Sequence, residues 1–297
     1  MSELAVPSPG RIWLAAARPR TLPAAVAPVL VGSALAFHDG RLQGLTAGLC
    51  LAFALLVQIG ANFANDYFDF VQGADTSARL GPKRAVASGW VSPAAMRRAM
   101  VATFAVAILA GAGLILRGGP WMAAVGFASV LCAVAYTGGP FPLGYHGLGD
   151  LFVFIFFGLV AVTMTYFVQA GGVSGAVILA AVPIGLLTAN ILVVNNYRDM
   201  ETDAAAGKRT LVVKFGRGFA RGQYALSLLM AGLVPVLFWR DGFGLGSLLP
   251  LLLIPLGGRL HRRLRSGPTP GELIALLGDT AKLVAAYAVL FAIGINL

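Results

Sequence analysis

The sequence predicts an all-α polytopic membrane protein, a bundle of nine transmembrane helices in two pseudo-repeated halves with the N-terminus on the cytoplasmic side. Three observations predict it. The chain of 297 residues is 58% hydrophobic and only 11% charged, with a mean hydropathy of +0.82, which is not the composition of a soluble domain. Apolar runs recur along its length, each near the roughly 17 to 25 residues that cross a bilayer. A pattern rich in Asn, Asp and Tyr occurs twice, about 130 residues apart.

Taken in order, Met1 to Gly10 holds two prolines and no basic n-region, so no cleavable signal peptide is expected. Arg11 to Thr21 (RIWLAAARPRT) is amphipathic, with Trp13 and three arginines, and is expected to lie along the membrane surface. Apolar runs follow at 21–37, 45–61, 100–116, 120–136, 151–170, 173–194, 224–239, 245–260 and 273–297. Pro250 and Pro255 interrupt the eighth.

Charge tests this count, because a wrong number of spans scrambles the alternation of loops. With the N-terminus inside, the inner segments hold Arg11, Arg18, Arg20, Arg79, Lys83, Arg84, Arg97, Arg98, Arg198, Lys208, Arg209, Lys214, Arg217, Arg221, Arg259, Arg262, Arg263 and Arg265. The outer side has only Arg41, Arg117 and Arg240, and Lys282 falls within the last run. The net charge of +10 therefore reads as a topology signal. No nucleic-acid motif accompanies it, and no nucleic-acid partner is expected.

The remaining features are quieter. Cys50 and Cys132 lie in apolar runs without a CxxC or a neighbouring His, so neither a disulfide nor a metal site is expected of them. Tyr136 to Asp150 (YTGGPFPLGYHGLGD) is rich in Gly and Pro and predicts a turn, with Tyr145 and His146 at the interface. Asp279 and Lys282 are expected to pair and snorkel toward the cytoplasmic surface, and Arg259 to Arg265 to anchor topology.

The repeated pattern carries the chemistry. Asn65, Asp66, Tyr67 and Asp69 align with Asn195, Asn196, Tyr197 and Asp199, and in both copies a Gly and a Lys-Arg pair follow. Asp66 and Asp69 are three apart, and Asp199 and Asp203 four apart, so each pair can share a helical face. Paired carboxylates of this kind suit Mg²⁺, which is bound by a few carboxylates together with substrate phosphates. Lys83 and Arg84, and Lys208 and Arg209, suit the remaining phosphate charge. The implied ligand is a metal-bound diphosphate. The alternative is solvated surface pairing, and two related clusters weigh against it. Of the 12 acidic residues, Asp66, Asp69, Asp75, Asp199, Glu201 and Asp203 lie in the two motifs, a concentration that argues for function beside a membrane. Residues 62–99 and 195–222 are expected to form cytoplasmic Asp-rich motif loops.

Several stretches carry a resemblance. NDYFDFVQGAD at Asn65 to Asp75, GPKRAVASG at Gly81 to Gly89 and DMETDAAAGKRT at Asp199 to Thr210, with RPRTLP at Arg18 to Pro23 and GYHGLGD at Gly144 to Asp150, resemble the UbiA superfamily of intramembrane aromatic prenyltransferases. The likeness is greatest to the branch that prenylates 1,4-dihydroxy-2-naphthoate in menaquinone biosynthesis, and it covers nearly the whole chain. The wider superfamily often has a third aspartate four residues after the second. Here that position is Gly73, with Asp75 two residues later.

The resemblance implies a single transmembrane prenyltransferase domain over 1–297, embedded in the cell (inner) membrane with its active site facing the cytoplasm. Its central cavity is expected to open to the cytoplasmic face and laterally to the bilayer, from which a polyprenyl tail could enter. It implies Mg²⁺ on Asp66, Asp69, Asp75, Asp199 and Asp203, and diphosphate beside Lys83, Arg84, Lys208 and Arg209. Asn62, Asn65 and Asn195 are expected to orient metal waters or phosphate oxygens, and Tyr136 to shield an allylic cation with its ring. The reaction implied is transfer of a polyprenyl group from its diphosphate to 1,4-dihydroxy-2-naphthoate, with loss of CO₂ and diphosphate, giving demethylmenaquinol. The rivals are another aromatic acceptor, such as 4-hydroxybenzoate or homogentisate, and, from a different class, a membrane transporter. A phospholipid head-group transferase is disfavoured because no DGxxAR pattern occurs.

Overall fold

The structure, a computed structural model, describes residues 7–75 and 80–297. Arg79 and residues 1–6 of the segment read for a signal peptide lie outside them. The described chain is helical from end to end: α1 (Pro9–Ala17), α2 (Pro23–His38), α3 (Gly44–Val71), α4 (Pro93–Gly118), α5 (Met122–Ala135), α6 (Gly149–Val153), a π-helical turn (Phe154–Val160), α7 (Ala161–Ala170), α8 (Gly175–Ala205), α9 (Leu211–Phe238), a 3₁₀ segment (Leu245–Leu253), α10 (Ile254–Arg265) and α11 (Pro270–Gly294).

Local chemistry sets the boundaries. Ser92, Ser174 and Thr210 cap α4, α8 and α9 by accepting the N–H of Ala95, Val177 and Val213, and Thr269 and Glu272 form a reciprocal capping box at α11. Pro stands at the first turn of α4 and α11, where no hydrogen bond is lost. α1 ends at Arg18 in a left-handed conformation (φ 52°, ψ 68°), which costs a residue with a side chain ~1–2 kcal/mol. α9 is kinked at Gly216 (φ 79°, ψ 173°).

Each apolar run falls on a helical rod, but not every rod is long enough to span. Among the described residues six helices are long and apolar enough to cross a membrane, and up to seven if the bent pair Pro9–Thr21 and Pro23–His38 (51°) is one span. α5 has 14 residues, which rise ~21 Å against a hydrocarbon core of ~30 Å. The run 245–260 divides into the 3₁₀ segment and α10, with Pro250 inside the former. Length thus supports six to seven of the nine expected spans.

A second correction concerns the motifs. Residues 62–71 and 195–205 are not loops: α3 and α8 run on through them, to Val71 and Ala205. The hydropathy drop marks where these helices leave the apolar layer, and the backbone hydrogen bonding continues past it.

α8 is the axis of the bundle. Ala180, Ala181 and Ile184 on it are fully buried, packed in one cluster with Val31, Val162, Phe238, Val284 and Phe291 from surrounding helices, and Val193 and Val194, also fully buried, belong to a second cluster with Tyr224, Leu260 and Leu276. Gly158 on the π turn and Gly185 on α8 meet so closely that a Cβ on Gly158 would stand 2.6 Å from the Gly185 Cα. In each half the motif helix packs most extensively on the next long helix, α3 on α4 and α8 on α9, which matches the duplication of the pattern. At the surface, Asp279 binds both Arg263 (2.8 Å) and Lys282 (3.0 Å), while Arg259, Arg262 and Arg265 of α10 are exposed.

Candidate active site

The motifs meet because the last turns of α3 and α8 border one cavity. Asn65 and Asp69 are four residues apart on α3, and Asn195, Asp199 and Asp203 repeat that spacing on α8, so each set forms one stripe. All five line a cavity of about 650 Å³. Its remaining walls are mainly apolar, from Val29, Phe53, Val57, Phe156, Met164 and Val168. Ile108 of α4 and Phe127 of α5 line it while remaining 60% and 69% exposed, so it opens sideways toward the surrounding lipid as well as onto the polar end.

Cations hold the carboxylates at that end. Asp69, 3% exposed, accepts from Arg84 Nη2 at 3.3 Å, Lys208 Nζ at 3.1 Å and the Tyr145 hydroxyl at 2.9 Å. Lys208 also lies 3.8 Å from Asp203, so one ammonium bridges the two halves. Arg84 Nε lies 3.5 Å from Asp75. Asp199 takes a two-pronged contact from Arg198, at 2.8 and 2.6 Å, and the same guanidinium donates to Asn195 at 2.9 Å. Asn65 accepts from Thr137 at 2.9 Å.

Several expected site residues are placed elsewhere. Asp66 is buried but does not line the cavity; its two oxygens accept the backbone N–H groups of Ala85 and Val86 at 3.0 and 3.1 Å. Lying one position past Asn65, it is rotated ~100° around α3 and anchors the 81–91 loop. Lys83 is exposed, with its ammonium 5.8 Å from the Trp90 ring. Arg209 is exposed too, and its backbone N–H donates to the Tyr145 carbonyl at 2.7 Å. Asn62 does line the cavity and binds the Ala17 carbonyl at 2.9 Å. Asp75 reaches the cluster through Arg84 and does not itself line the cavity.

Tyr145 is the residue that sequence reasoning missed. Besides its bond to Asp69, its ring lies 4.6 Å from the Lys208 ammonium. Burial, then the charge and hydrogen bond of Asp69, push its phenol well above the ordinary value, so it stays a donor. Nothing in YTGGPFPLGYHGLGD separates a site tyrosine from an interfacial one. The fold does so, by docking that loop on the 207–214 segment, where Lys214 also donates to the His146 carbonyl at 2.8 Å.

Among the described residues no three carboxylates, histidines or cysteines stand arranged as a metal site. The donor set nevertheless fits Mg²⁺. Carboxylate and amide oxygens from both halves face one cavity, and a cation, Lys208, already sits between Asp69 and Asp203.

Comparison with known proteins agrees with this architecture. The model of the UbiA prenyltransferase family matches residues 25–293. The chain is 41% identical over 280 residues to the 1,4-dihydroxy-2-naphthoate octaprenyltransferase of Mycobacterium tuberculosis, covering 93% of this chain and 94% of that one. It is 39% identical over 294 residues to the protein of that name from Escherichia coli, covering 96% and 95%. The fold is shared with a UbiA homolog from Archaeoglobus fulgidus bound to GPP and Mg²⁺, with a TM-score of 0.66, 16% identity and coverage of 94% and 99%. It is shared also with the apo UbiA homolog from Aeropyrum pernix K1, with a TM-score of 0.67, 17% identity and coverage of 90% and 96%. The chain belongs to the UbiA prenyltransferase family.

Proposed function

We propose that this protein transfers a polyprenyl group from polyprenyl diphosphate to 1,4-dihydroxy-2-naphthoate, with loss of CO₂ and diphosphate, giving demethylmenaquinol for menaquinone biosynthesis. The observation that carries this reading is the two-part cavity. Paired carboxylates and cations from both halves stand at one end, and apolar walls open to the lipid make up the rest. A molecule with a diphosphate head and an insoluble hydrocarbon tail matches both parts. The naphthoate acceptor follows from the two relatives of that name, at 41% and 39% identity.

In this reading Asp69, Asp199 and Asp203, with Asn65 and Asn195, hold Mg²⁺, and the head group lies against Arg84 and Lys208. The metal supplies the charge neutralisation that makes diphosphate a leaving group. The chain's own residues do the rest. Tyr145 fixes Asp69 by donating to it, and Arg198 fixes Asp199 and Asn195. As the C1–O bond of the donor breaks, Tyr136 and the Phe152 and Phe156 rings, stacked at 6.1 Å on the cavity wall, exclude water and offer ring faces to the allylic cation. The electron-rich ring bonds to C1, and its carboxylate departs as CO₂. The full proposal has nine rods in the inner membrane, the N-terminus inside and the motif ends of α3 and α8 at the cytoplasmic face.

The test is turnover in membranes containing the protein, given a long-chain prenyl diphosphate, Mg²⁺ and 1,4-dihydroxy-2-naphthoate, with the product identified by mass. A demethylmenaquinol-type product that disappears with EDTA and returns with Mg²⁺ is expected. A product formed only from 4-hydroxybenzoate or homogentisate would overturn the acceptor. No product from any of the three would overturn the enzyme reading in favour of transport.

A further inference from the structure

Helix α10 has two faces of opposite chemistry. Gly257, Leu260 and Leu264 are buried, and the two leucines pack with Tyr197 of α8, Val212 and Tyr224 of α9 and Leu276 of α11. That cluster places α10 at the motif end of the bundle, beside the stretch of α8 that carries Asp199. Helical spacing defines the other face. Ile254, Gly258, Arg262 and Arg265 form one stripe (i, i+4, i+8, i+11), and Pro255, Arg259 and Arg262 form a second beside it. All six residues are exposed.

The exposed face changes character along its length. It begins apolar: Leu252, just before the helix, and Ile254, in its first turn, are 69% and 61% exposed, a surface for acyl chains in a membrane protein. It ends in guanidinium groups. The helix rises ~8 Å from Ile254 to Arg259 and ~12 Å to Arg262, the scale of a headgroup layer that adds ~5–8 Å on each side of the hydrocarbon core. Between the two parts Gly258 leaves a gap, since a Cβ there would meet nothing within 4 Å.

The charge on this face is uncompensated. Arg263, on the flank, is neutralised by Asp279 at 2.8 Å. Arg259, Arg262 and Arg265 have no acidic partner among the described residues. Helix-end electrostatics accounts for Arg262 and Arg265, which lie in the last turn. It does not account for Arg259, which lies before that turn.

We propose that this face binds an anionic phospholipid, its phosphate held by the Arg259 and Arg262 forks over the Gly258 gap and its acyl chains lying on Leu252 and Ile254. The site stands outside the carboxylate cavity, and the proposal does not depend on the prenyl-transfer reading.

The full chain, purified in an uncharged detergent, is titrated with phosphatidylglycerol, phosphatidylcholine or inorganic phosphate at matched ionic strength. The readout is Tm, which a ligand of the folded state raises with its concentration. Phosphatidylglycerol alone is expected to raise it. Arg259→Gln with Arg262→Gln should increase the half-maximal phosphatidylglycerol concentration by about 10- to 30-fold, at about fivefold for each arginine. Arg97→Gln with Arg98→Gln removes two equally exposed charges from α4 and should change it less than about twofold. Gly258→Glu places a carboxylate in the gap, where its Cβ has room, and should abolish the rise with every arginine still present, so the test survives if the double α10 variant does not fold. No rise in wild type, or an undiminished rise in Gly258→Glu, overturns the site. Equal weakening in the α4 pair overturns it in favour of general charge attraction. An equal rise with phosphatidylcholine, or with inorganic phosphate, overturns the anionic lipid as its occupant.

Discussion

Residues that stand side by side in the sequence do different things here. Asp66 and Asp69 look equivalent on paper, yet Asp69 meets Arg84, Lys208 and Tyr145 at the cavity while Asp66 ties down two backbone N–H groups. Asp69→Asn and Asp199→Asn are therefore expected to lower turnover at least about 100-fold in folded protein, measured in membranes at matched expression. In Asp66→Asn, a side-chain NH₂ faces a backbone donor, which costs about 1–3 kcal/mol of stability. That variant should show a lowered Tm before it shows a loss of chemistry. Full stability with no turnover would return Asp66 to the catalytic set. Tyr136→Phe keeps the ring and should lose less activity than Tyr136→Ala, and equal losses would remove the ring-face role.

Helices matter here for where they end and how closely they approach. α3 and α8 reach the site because they extend beyond their apolar parts, and a helix one turn shorter would leave Asp69 or Asp203 out of register. The π turn at Phe154–Val160 adds local width to the helix at the point where Gly158 touches Gly185. A Cβ on Gly185 would stand 2.8 Å from Phe154, so Gly158→Ala and Gly185→Ala should each cost about 1–3 kcal/mol. Thermal unfolding in detergent checks this. Gly175→Ala, in open space at the start of α8, serves as the control and should leave Tm unchanged. Equal Tm in all three would mean that the bundle relaxes freely at this contact.

At the scale of the molecule, the uneven distribution of arginine and lysine predicts an orientation that can be tested. If the motif ends of α3 and α8 face the cytoplasm, a cysteine at exposed Ala87 should react with an impermeant maleimide only after the cells are opened. One at Val173, 41% exposed beyond α7, should react in intact cells. The test is made in a Cys50→Ala, Cys132→Ala background, and the opposite labelling pattern would invert the topology.

The sequence by itself determined the helical membrane architecture, the family and the two carboxylate motifs, because those rest on composition and on spacing along one helix. Asn195, Asp199 and Asp203 fall on one face whatever surrounds them. The number of full spans was less legible, since hydropathy reports how apolar a run is and not whether its rod reaches across: α5 is apolar and too short. The motif segments 62–71 and 195–205 were read as loops for a related reason, as polar residues end an apolar run without ending a helix. Only the tertiary structure decided that Asp66, Lys83 and Arg209 stand off the cavity, and that Tyr145 and Arg18 stand on it. Those outcomes depend on which face of each element meets its neighbour. That is fixed by contacts between residues far apart in the chain, such as Asn62 with Ala17, 45 positions away, and Lys208 with Asp69, 139 positions away, and no local pattern encodes it.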